Sequence, residues 1–225
     1  MDRLFRNRRT RLRNLLLLIL PFCLLMAFFG FMAFRSLSGV IGNTIGNNSS
    51  SKYVIESMGY TLRSDATDLQ KECFKELSKA VEDGSDKGEI ARLVAKNYIA
   101  DFYTWTNKNG TYYVGGLCYI ANSQKANVFN RARNTFYKYV SYYINELGKE
   151  NLLEVADISV EGGNVAETYT LDNKSYDSYF ITVRWDYKNL DKLSAYTNNW
   201  VTKLYVNVIE NEDGRFEIME VYGDE

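Results

Sequence analysis

The chain has 225 residues, with 27 basic and 28 acidic side chains, a formal net charge of −1 and no histidine. The absence of histidine excludes Ser-His-Asp and Cys-His catalysis and every metal site that needs an imidazole ligand. The charge is unevenly distributed: the first 34 residues hold six arginines and one aspartate, whereas the remainder is acidic and tyrosine-rich and offers no electrostatic footprint for nucleic acid.

The segment Leu15–Phe34 reads LLLLILPFCLLMAFFGFMAF and contains no charged residue. Its length matches the roughly 20 residues that a helix needs to cross the hydrocarbon of a bilayer. A cleaved signal peptide has a shorter apolar run followed by small residues, whereas this run ends in Met32-Ala33-Phe34-Arg35. We therefore predict an uncleaved transmembrane helix over residues 15–34. A soluble core helix is the alternative, which the arginine-rich flank disfavours.

This helix sets the expected domain organisation. Residues 1–14 are a basic stub, and the positive-inside rule places them in the cytoplasm. Residues 35–63, rich in Gly, Ser and Asn at their start, are predicted to be a flexible spacer. Residues 64–225 are then an extracytoplasmic domain with enough chain for one core. The Lys/Asn/Tyr-rich, proline-poor composition is typical of a low-GC bacterium, so the expected location is the bacterial cytoplasmic membrane.

The first part of this domain has helical periodicity. Thr67-Asp-Leu-Gln70 is typical of a capping box that opens a helix. A second helix is predicted to begin near Asp86 and to end at Asn109-Gly110. A third, with a clear apolar stripe, is predicted from Lys125 to Leu147.

From Leu152 the apolar residues alternate with polar ones, which is typical of strands. Helices followed by an antiparallel sheet predict an α+β fold, in which amphipathic helices cover one face of the sheet. The predicted strands and turns are Leu152–Val160, a turn at Gly162-Gly163, Val165–Leu171, Tyr179–Tyr187, Trp200–Val208, a turn at Asp213-Gly214, and Phe216–Tyr222.

This order of elements resembles the bitopic membrane assembly component of type IV secretion systems and its Gram-positive conjugation counterparts. The residues that carry the resemblance are the tyrosine-rich helix Ala91–Tyr103 and the closing hairpin Val201–Tyr222, within residues 67–222. The resemblance implies a nuclear-transport-factor-2-like cone with a curved antiparallel sheet. The same cone also carries enzymes and small-ligand binders, so it does not by itself assign a function.

Four residues are candidates for acid–base chemistry in such a cone: Asp157, Tyr169, Asp186 and Tyr103. The two aspartates alternate with apolar neighbours, which predicts that they lie on the solvated face of the sheet. The tyrosines are better interpreted as core or interface aromatics. We therefore expect no catalytic residue among them and no bound cofactor or metal.

The aromatic segment Tyr112-Tyr113-Val114-Gly115-Gly116-Leu117 is the candidate interface. Tyrosine is enriched in protein interfaces, and glycine permits close approach. A loop that closes the mouth of the cone is an equally good interpretation of the same segment. The expected partners are the membrane and either further copies of the chain or other envelope proteins.

Two cysteines, Cys73 and Cys118, lie outside the predicted membrane helix. They could form a disulfide in an oxidising compartment, but two small buried thiols are the favoured interpretation.

The function predicted from these features is that of a non-enzymatic, membrane-anchored scaffold or interaction subunit of a bacterial envelope or conjugative transfer assembly. One alternative is a ligand-sensing extracytoplasmic domain. A cone-fold enzyme is a weaker alternative, which a core plugged by Trp185, Trp200 and Phe216 would oppose.

Overall fold

The computed structural model describes residues 53–171, 173–194, 196 and 200–223, without the side chains of residues 166 and 167. The predicted basic stub and the predicted membrane helix, residues 15–34, lie outside these residues. Within the described part of the chain, no helix is long and apolar enough to cross a membrane.

The described chain begins with a small hairpin. Strand β1 (Tyr53–Ile55) and strand β2 (Tyr60–Leu62) are antiparallel and are joined by a 3-10 turn. The Tyr60 side chain is fully buried, and its hydroxyl donates a hydrogen bond to the carbonyl of Phe216. The end of the predicted flexible spacer is therefore folded onto the domain, because a buried tyrosine fixes it there.

Two long helices follow. Helix α1 (Asp68–Glu82) begins with the predicted capping box: the Thr67 side chain accepts from the backbone of Gln70, whose own side chain accepts from the backbone of Thr67. Helix α2 (Lys87–Phe102) begins at Asp86, as predicted, but ends earlier than expected.

The predicted third helix is two helices. Helix α3 (Lys125–Asn134) and helix α4 (Val140–Leu147) are separated by a break at residues 135–139. The cause is Tyr137, whose side chain is fully buried within the break. Its hydroxyl donates to the carbonyl of Phe102 at 2.6 Å and accepts from the backbone N–H of Gly115 at 3.1 Å.

The rest of the chain forms a four-stranded antiparallel sheet with strand order β3-β4-β5-β6. The short helix α5 (Leu190–Leu193) connects β4 to β5. The strands are β3 (Glu154–Leu171), β4 (Lys174–Lys188), β5 (Lys203–Glu210) and β6 (Phe216–Tyr222). The α+β class is therefore confirmed, with helices packed on an antiparallel sheet.

Gly162-Gly163 does not form the predicted turn. Strand β3 runs through both glycines, with irregular pairing to β4 at this point. A Cβ on Gly88, in the first turn of α2, would lie 2.0 Å from the carbonyl oxygen of Gly163. The guanidinium of Arg92 also donates to the carbonyl of Gly162 at 2.7 Å. The glycines therefore allow α2 to approach the strand closely.

The core lies between the helices and one face of the sheet, here called the inner face. Along β4 the side chains of Ile181, Val183 and Trp185 are buried on this face. Arg184 and Asp186, which alternate with them, are exposed on the outer face. The predicted inward orientation of Trp185 is confirmed: its side chain is 3% exposed.

Candidate interaction surface

The candidate interface segment is mostly buried against its own chain. Gly115, Gly116 and Leu117 are buried, and Tyr113 is half-buried. Only Tyr112, at 57% exposure, presents most of its side chain to solvent. Its ring lies under the guanidinium of Arg133, which is 5.0 Å from the ring centroid.

The two glycines of this segment permit contacts within the domain. A Cβ on Gly115 would lie 2.3 Å from the carbonyl oxygen of Asp101. Gly116 has a φ of +72°, and a Cβ there would lie 2.7 Å from the ring of Tyr98. Glycine is required at both positions because the segment packs directly on the end of α2. Packing within the domain therefore explains both glycines.

A buried ion pair holds the segment in place. The Lys108 side chain is fully buried, and its Nζ lies 2.6 Å from Oδ1 of Asp101. The other carboxylate oxygen of Asp101 accepts from the backbone N–H of Gly116 at 2.6 Å. Burial alone would raise the pKa of Asp101, but the Lys108 ammonium and the hydrogen bonds from Lys108 and Gly116 lower it overall.

A second cation lies beside this pair. The Arg63 side chain is 3% exposed and forms a fork with the carboxylate of Asp65, with N–O distances of 2.9 and 2.8 Å. The same guanidinium donates to the carbonyl of Asn107 at 3.2 Å and lies 5.1 Å from the ring centroid of Tyr113. The two pairs are balanced in charge, which is the condition for burying cations.

The four acid–base candidates do not form one site. Asp157 and Asp186 are direct cross-strand neighbours, and both are exposed on the outer face, as expected. Tyr103 is buried on the opposite side of the sheet, with its ring centroid 4.7 Å from that of Trp185. Tyr169 donates to the carboxylate of Glu220 at 3.4 Å.

Both described cysteines are free thiols. Burial raises the pKa of Cys73 to about 12 and that of Cys118 to about 11, so both are protonated at neutral pH. Among the residues that the structure describes, no three acidic or cysteine side chains come close enough together to hold a metal ion.

An exposed aromatic cluster of the described residues lies elsewhere, on and beside α4. We call it the tyrosine patch, and it consists of Tyr139, Tyr142, Tyr143 and Tyr196. Tyr139, Tyr142 and Tyr196 are 53%, 50% and 42% exposed. Tyr143 lies among them, with ring centroids 5.5 Å from Tyr142 and 4.9 Å from Tyr196.

The patch rests on the core. The ring of Tyr143 stacks on that of Trp105 at a centroid distance of 6.0 Å, and Trp105 is 2% exposed. Trp105 in turn packs against Phe136 and Trp200, at 4.7 and 5.6 Å. The ring of Tyr143 therefore packs on buried aromatic side chains, and the other three tyrosines surround it.

Tyr143 belongs to the apolar stripe of the predicted third helix, which predicts a buried side chain and does not reveal this patch. The sequence feature that could have revealed the patch is the run Tyr137-Lys-Tyr-Val-Ser-Tyr-Tyr143, which places tyrosines on more than one side of a helix. An amphipathic surface helix normally carries charged residues on its outer side.

Comparison of the chain with protein-family models, with curated proteins and with solved structures gives no match.

Proposed function

We propose that the chain is a membrane-anchored, non-enzymatic interaction subunit of a bacterial envelope or conjugative transfer assembly. Residues 15–34 span the cytoplasmic membrane, with residues 1–14 inside and the α+β domain outside as a nuclear-transport-factor-2-like cone. The apolar run and the arginine flank in the sequence support this topology.

The observation that carries the proposal is the tyrosine patch. Aromatic side chains, tyrosine in particular, are enriched at the centres of protein interfaces and among their energetic hot spots. A tyrosine that is already held by neighbouring rings loses little conformational freedom on binding, so more of its contact energy contributes to affinity. Tyr143, stacked on buried Trp105, has this arrangement.

Confinement to a membrane favours such contacts. Domains held in one plane meet at a high effective concentration, so a patch of modest affinity is sufficient for assembly. The partner is then a second copy of the chain or another envelope protein with an exposed domain on the same side.

A photo-crosslinking amino acid at Tyr142, in the full chain expressed in cells, tests this proposal. We expect a discrete adduct with another chain after illumination. The matched control is the same amino acid at Asp186, which is exposed on the outer face of the sheet and is not part of the patch. If Tyr142 and Asp186 give the same smear of products, the tyrosine patch is not an interface.

The topology is tested separately. Protease added outside spheroplasts or protoplasts should digest the region from Tyr53 onward and leave the N-terminal stub intact. Protection of that region until the membrane is permeabilised would contradict the proposed orientation.

A second candidate function, a ligand-sensing extracytoplasmic domain, is favoured by one observation: a cavity between α2, α3 and β6. A cone-fold enzyme built on the four acid–base candidates has less support, because Asp157 and Asp186 lie on the face of the sheet opposite to Tyr103.

A further inference from the structure

A cavity of about 340 Å³ opens between the end of α2, helix α3 and strand β6. Of the four acid–base candidates, only Tyr103 lines it. Its walls are mostly aromatic and aliphatic, with one basic and one acidic side chain. Its principal lining residues are Tyr98, Phe102, Tyr103, Arg131, Phe136, Ile218 and Glu220.

Two phenols in the cavity wall lack partners. Tyr98 is 3% exposed and Tyr103 is 9% exposed. Neither hydroxyl forms a hydrogen bond with any residue that the structure describes. Neither hydroxyl oxygen is among the fully buried polar atoms that lack a partner, so both are accessible from the cavity. A polar atom of a bound ligand could therefore form a hydrogen bond with them.

Burial raises the pKa of both phenols above the ordinary value for tyrosine. They are therefore neutral at physiological pH, and each can donate one hydrogen bond and accept another. They can satisfy a hydroxyl or a carbonyl on a ligand, whereas a buried cation would have no counter-charge at this depth.

The solvent end of the cavity carries the charged residues. Arg131 of α3 is exposed, and its guanidinium forms no ion pair within the described part of the chain. Glu220 of β6 already accepts hydrogen bonds from the hydroxyls of Tyr169 and Tyr222. The Glu220 carboxylate keeps its negative charge, whereas Arg131 offers a guanidinium without an ion pair, which is well suited to bind a ligand carboxylate.

The size and shape of the walls restrict the ligand further. About 340 Å³ lies at the small end of ligand pockets. The rings of Phe102 and Phe136 are nearly parallel, with centroids 5.8 Å apart, and Tyr103 lies 5.1 Å from Phe136. Aromatic walls favour a flat ring that can stack or meet them edge to face.

We propose that this cavity binds a small aromatic carboxylate that carries a hydroxyl or carbonyl group at the end opposite to its carboxylate. The ring lies among Phe102, Phe136 and Ile218. The inner oxygen is hydrogen-bonded by Tyr98 and Tyr103, and the carboxylate is bound by Arg131. This site shares no residue with the tyrosine patch, and the proposal does not rest on the proposed interaction function.

Three probes that share one skeleton test the assignment by titration calorimetry on the purified full chain in lipid nanodiscs. They are 4-hydroxycinnamate, cinnamate and 4-hydroxycinnamamide; relative to the first, the second lacks the inner hydroxyl and the third lacks the charge. We expect 4-hydroxycinnamate to bind most tightly. The loss should be about fivefold for cinnamate and about tenfold or more for the amide, in keeping with neutral and charge-assisted hydrogen bonds.

Substitutions test which residue is responsible for the preference for the carboxylate and which for the preference for the hydroxyl. Arg131→Gln should abolish the preference for the carboxylate over the amide and leave the preference for the hydroxyl unchanged. Tyr98→Phe and Tyr103→Phe keep the ring, and at least one should abolish the preference for the hydroxyl only. The matched control is Arg133→Gln, because Arg133 lies on the same helix but stacks on Tyr112 and does not line the cavity.

Three results would overturn the proposal. The first is that no probe binds. The second is that Arg133→Gln and Arg131→Gln have the same effect, which would indicate general electrostatics. The third is that both phenylalanine variants, with unchanged circular dichroism, still discriminate 4-hydroxycinnamate from cinnamate. If the probes fail but a crosslinked partner inserts a side chain here, the cavity belongs to a protein interface and not to a small ligand.

Discussion

The ammonium group of Lys108, without any exposed surface, lies 2.6 Å from the carboxylate of Asp101. This pair joins the end of α2 to the loop that carries Gly116, since Asp101 also accepts from the Gly116 backbone. Removing one partner from a buried pair leaves an uncompensated charge, whereas replacing both can be close to neutral.

We therefore predict that Asp101→Asn lowers the free energy of unfolding by about 3–5 kcal/mol at pH 7. Adding Lys108→Met to this variant should restore a large part of the loss, because the orphaned ammonium is removed. Urea unfolding of the full chain, followed by tryptophan fluorescence, measures both. If the loss in the double variant is the sum of the losses in the two single variants, the two side chains are not coupled.

The same carboxylate gives a prediction about pH. Its pKa is lower in the folded protein than the ordinary 3.8 expected in the unfolded chain. Its contribution to stability is therefore fully present above that value and is lost as the pH falls through the folded pKa. We expect the stability of the wild type to decline below about pH 4 more steeply than that of Asp101→Asn. If the stabilities of the wild type and of Asp101→Asn decline in parallel at acid pH, the lowered pKa of Asp101 is contradicted.

A third prediction concerns Gly116. Gly116→Ala should destabilise the protein by about 1–3 kcal/mol, because the alanine would have a strained backbone and a Cβ 2.7 Å from the ring of Tyr98. Gly214 is the matched control: its φ of +76° is almost the same, but no atom of the described residues lies within 4 Å of the position that a Cβ would take there. Thermal unfolding should show a larger loss for Gly116→Ala than for Gly214→Ala. Equal losses would mean that only the backbone matters.

A fourth prediction compares the two faces of β4. Trp185→Ala should cost about 3–5 kcal/mol, as large-to-small core substitutions do. Asp186→Ala, one residue along the strand, should change stability by at most about 0.5 kcal/mol, and removing its charge relieves its repulsion with Asp157 across the strands. Circular dichroism during urea unfolding gives both values. A Trp185→Ala variant as stable as the wild type would contradict the burial.

The fifth prediction concerns the thiols. In a Cys23→Ser background, neither Cys73 nor Cys118 should react with an aromatic disulfide reagent at pH 8 until the protein is unfolded. Their pKa values of about 12 and 11 keep them protonated. Two thiols should then titrate in denaturant. One or none would indicate a disulfide or prior oxidation.

Periodicity and local capping were sufficient to predict most elements of this fold. The capping box at Thr67 and the alternation along β4 act within a few residues, so a single sequence reveals them. The break between α3 and α4 was missed because Phe129, Ala132, Phe136 and Val140 keep helical spacing across it. Its cause is the hydroxyl of Tyr137, which bonds to groups 35 and 22 residues away.

Glycine pairs were the other source of error. A glycine that turns the chain and one that admits a neighbouring element look the same in a sequence. Gly162-Gly163 proved to be the second kind, because Gly88 of α2 lies against it. The candidate interface was similarly ambiguous, and only Tyr112 has the exposure that an interface residue needs. The tyrosine patch could not be predicted from the sequence, because recognising it depends on the position of Trp105 in the folded domain.

The small N-terminal hairpin has a mechanical consequence. Under the proposed topology, tension from the membrane reaches the domain at Tyr53. It would first separate β1 from β2, one residue pair at a time, because three pairs of described residues join them. The next resistance would come from Tyr60, buried and bonded to Phe216 at the start of β6. A moderate pull would therefore extend the tether by a few residues before any load reached the strand that borders the cavity.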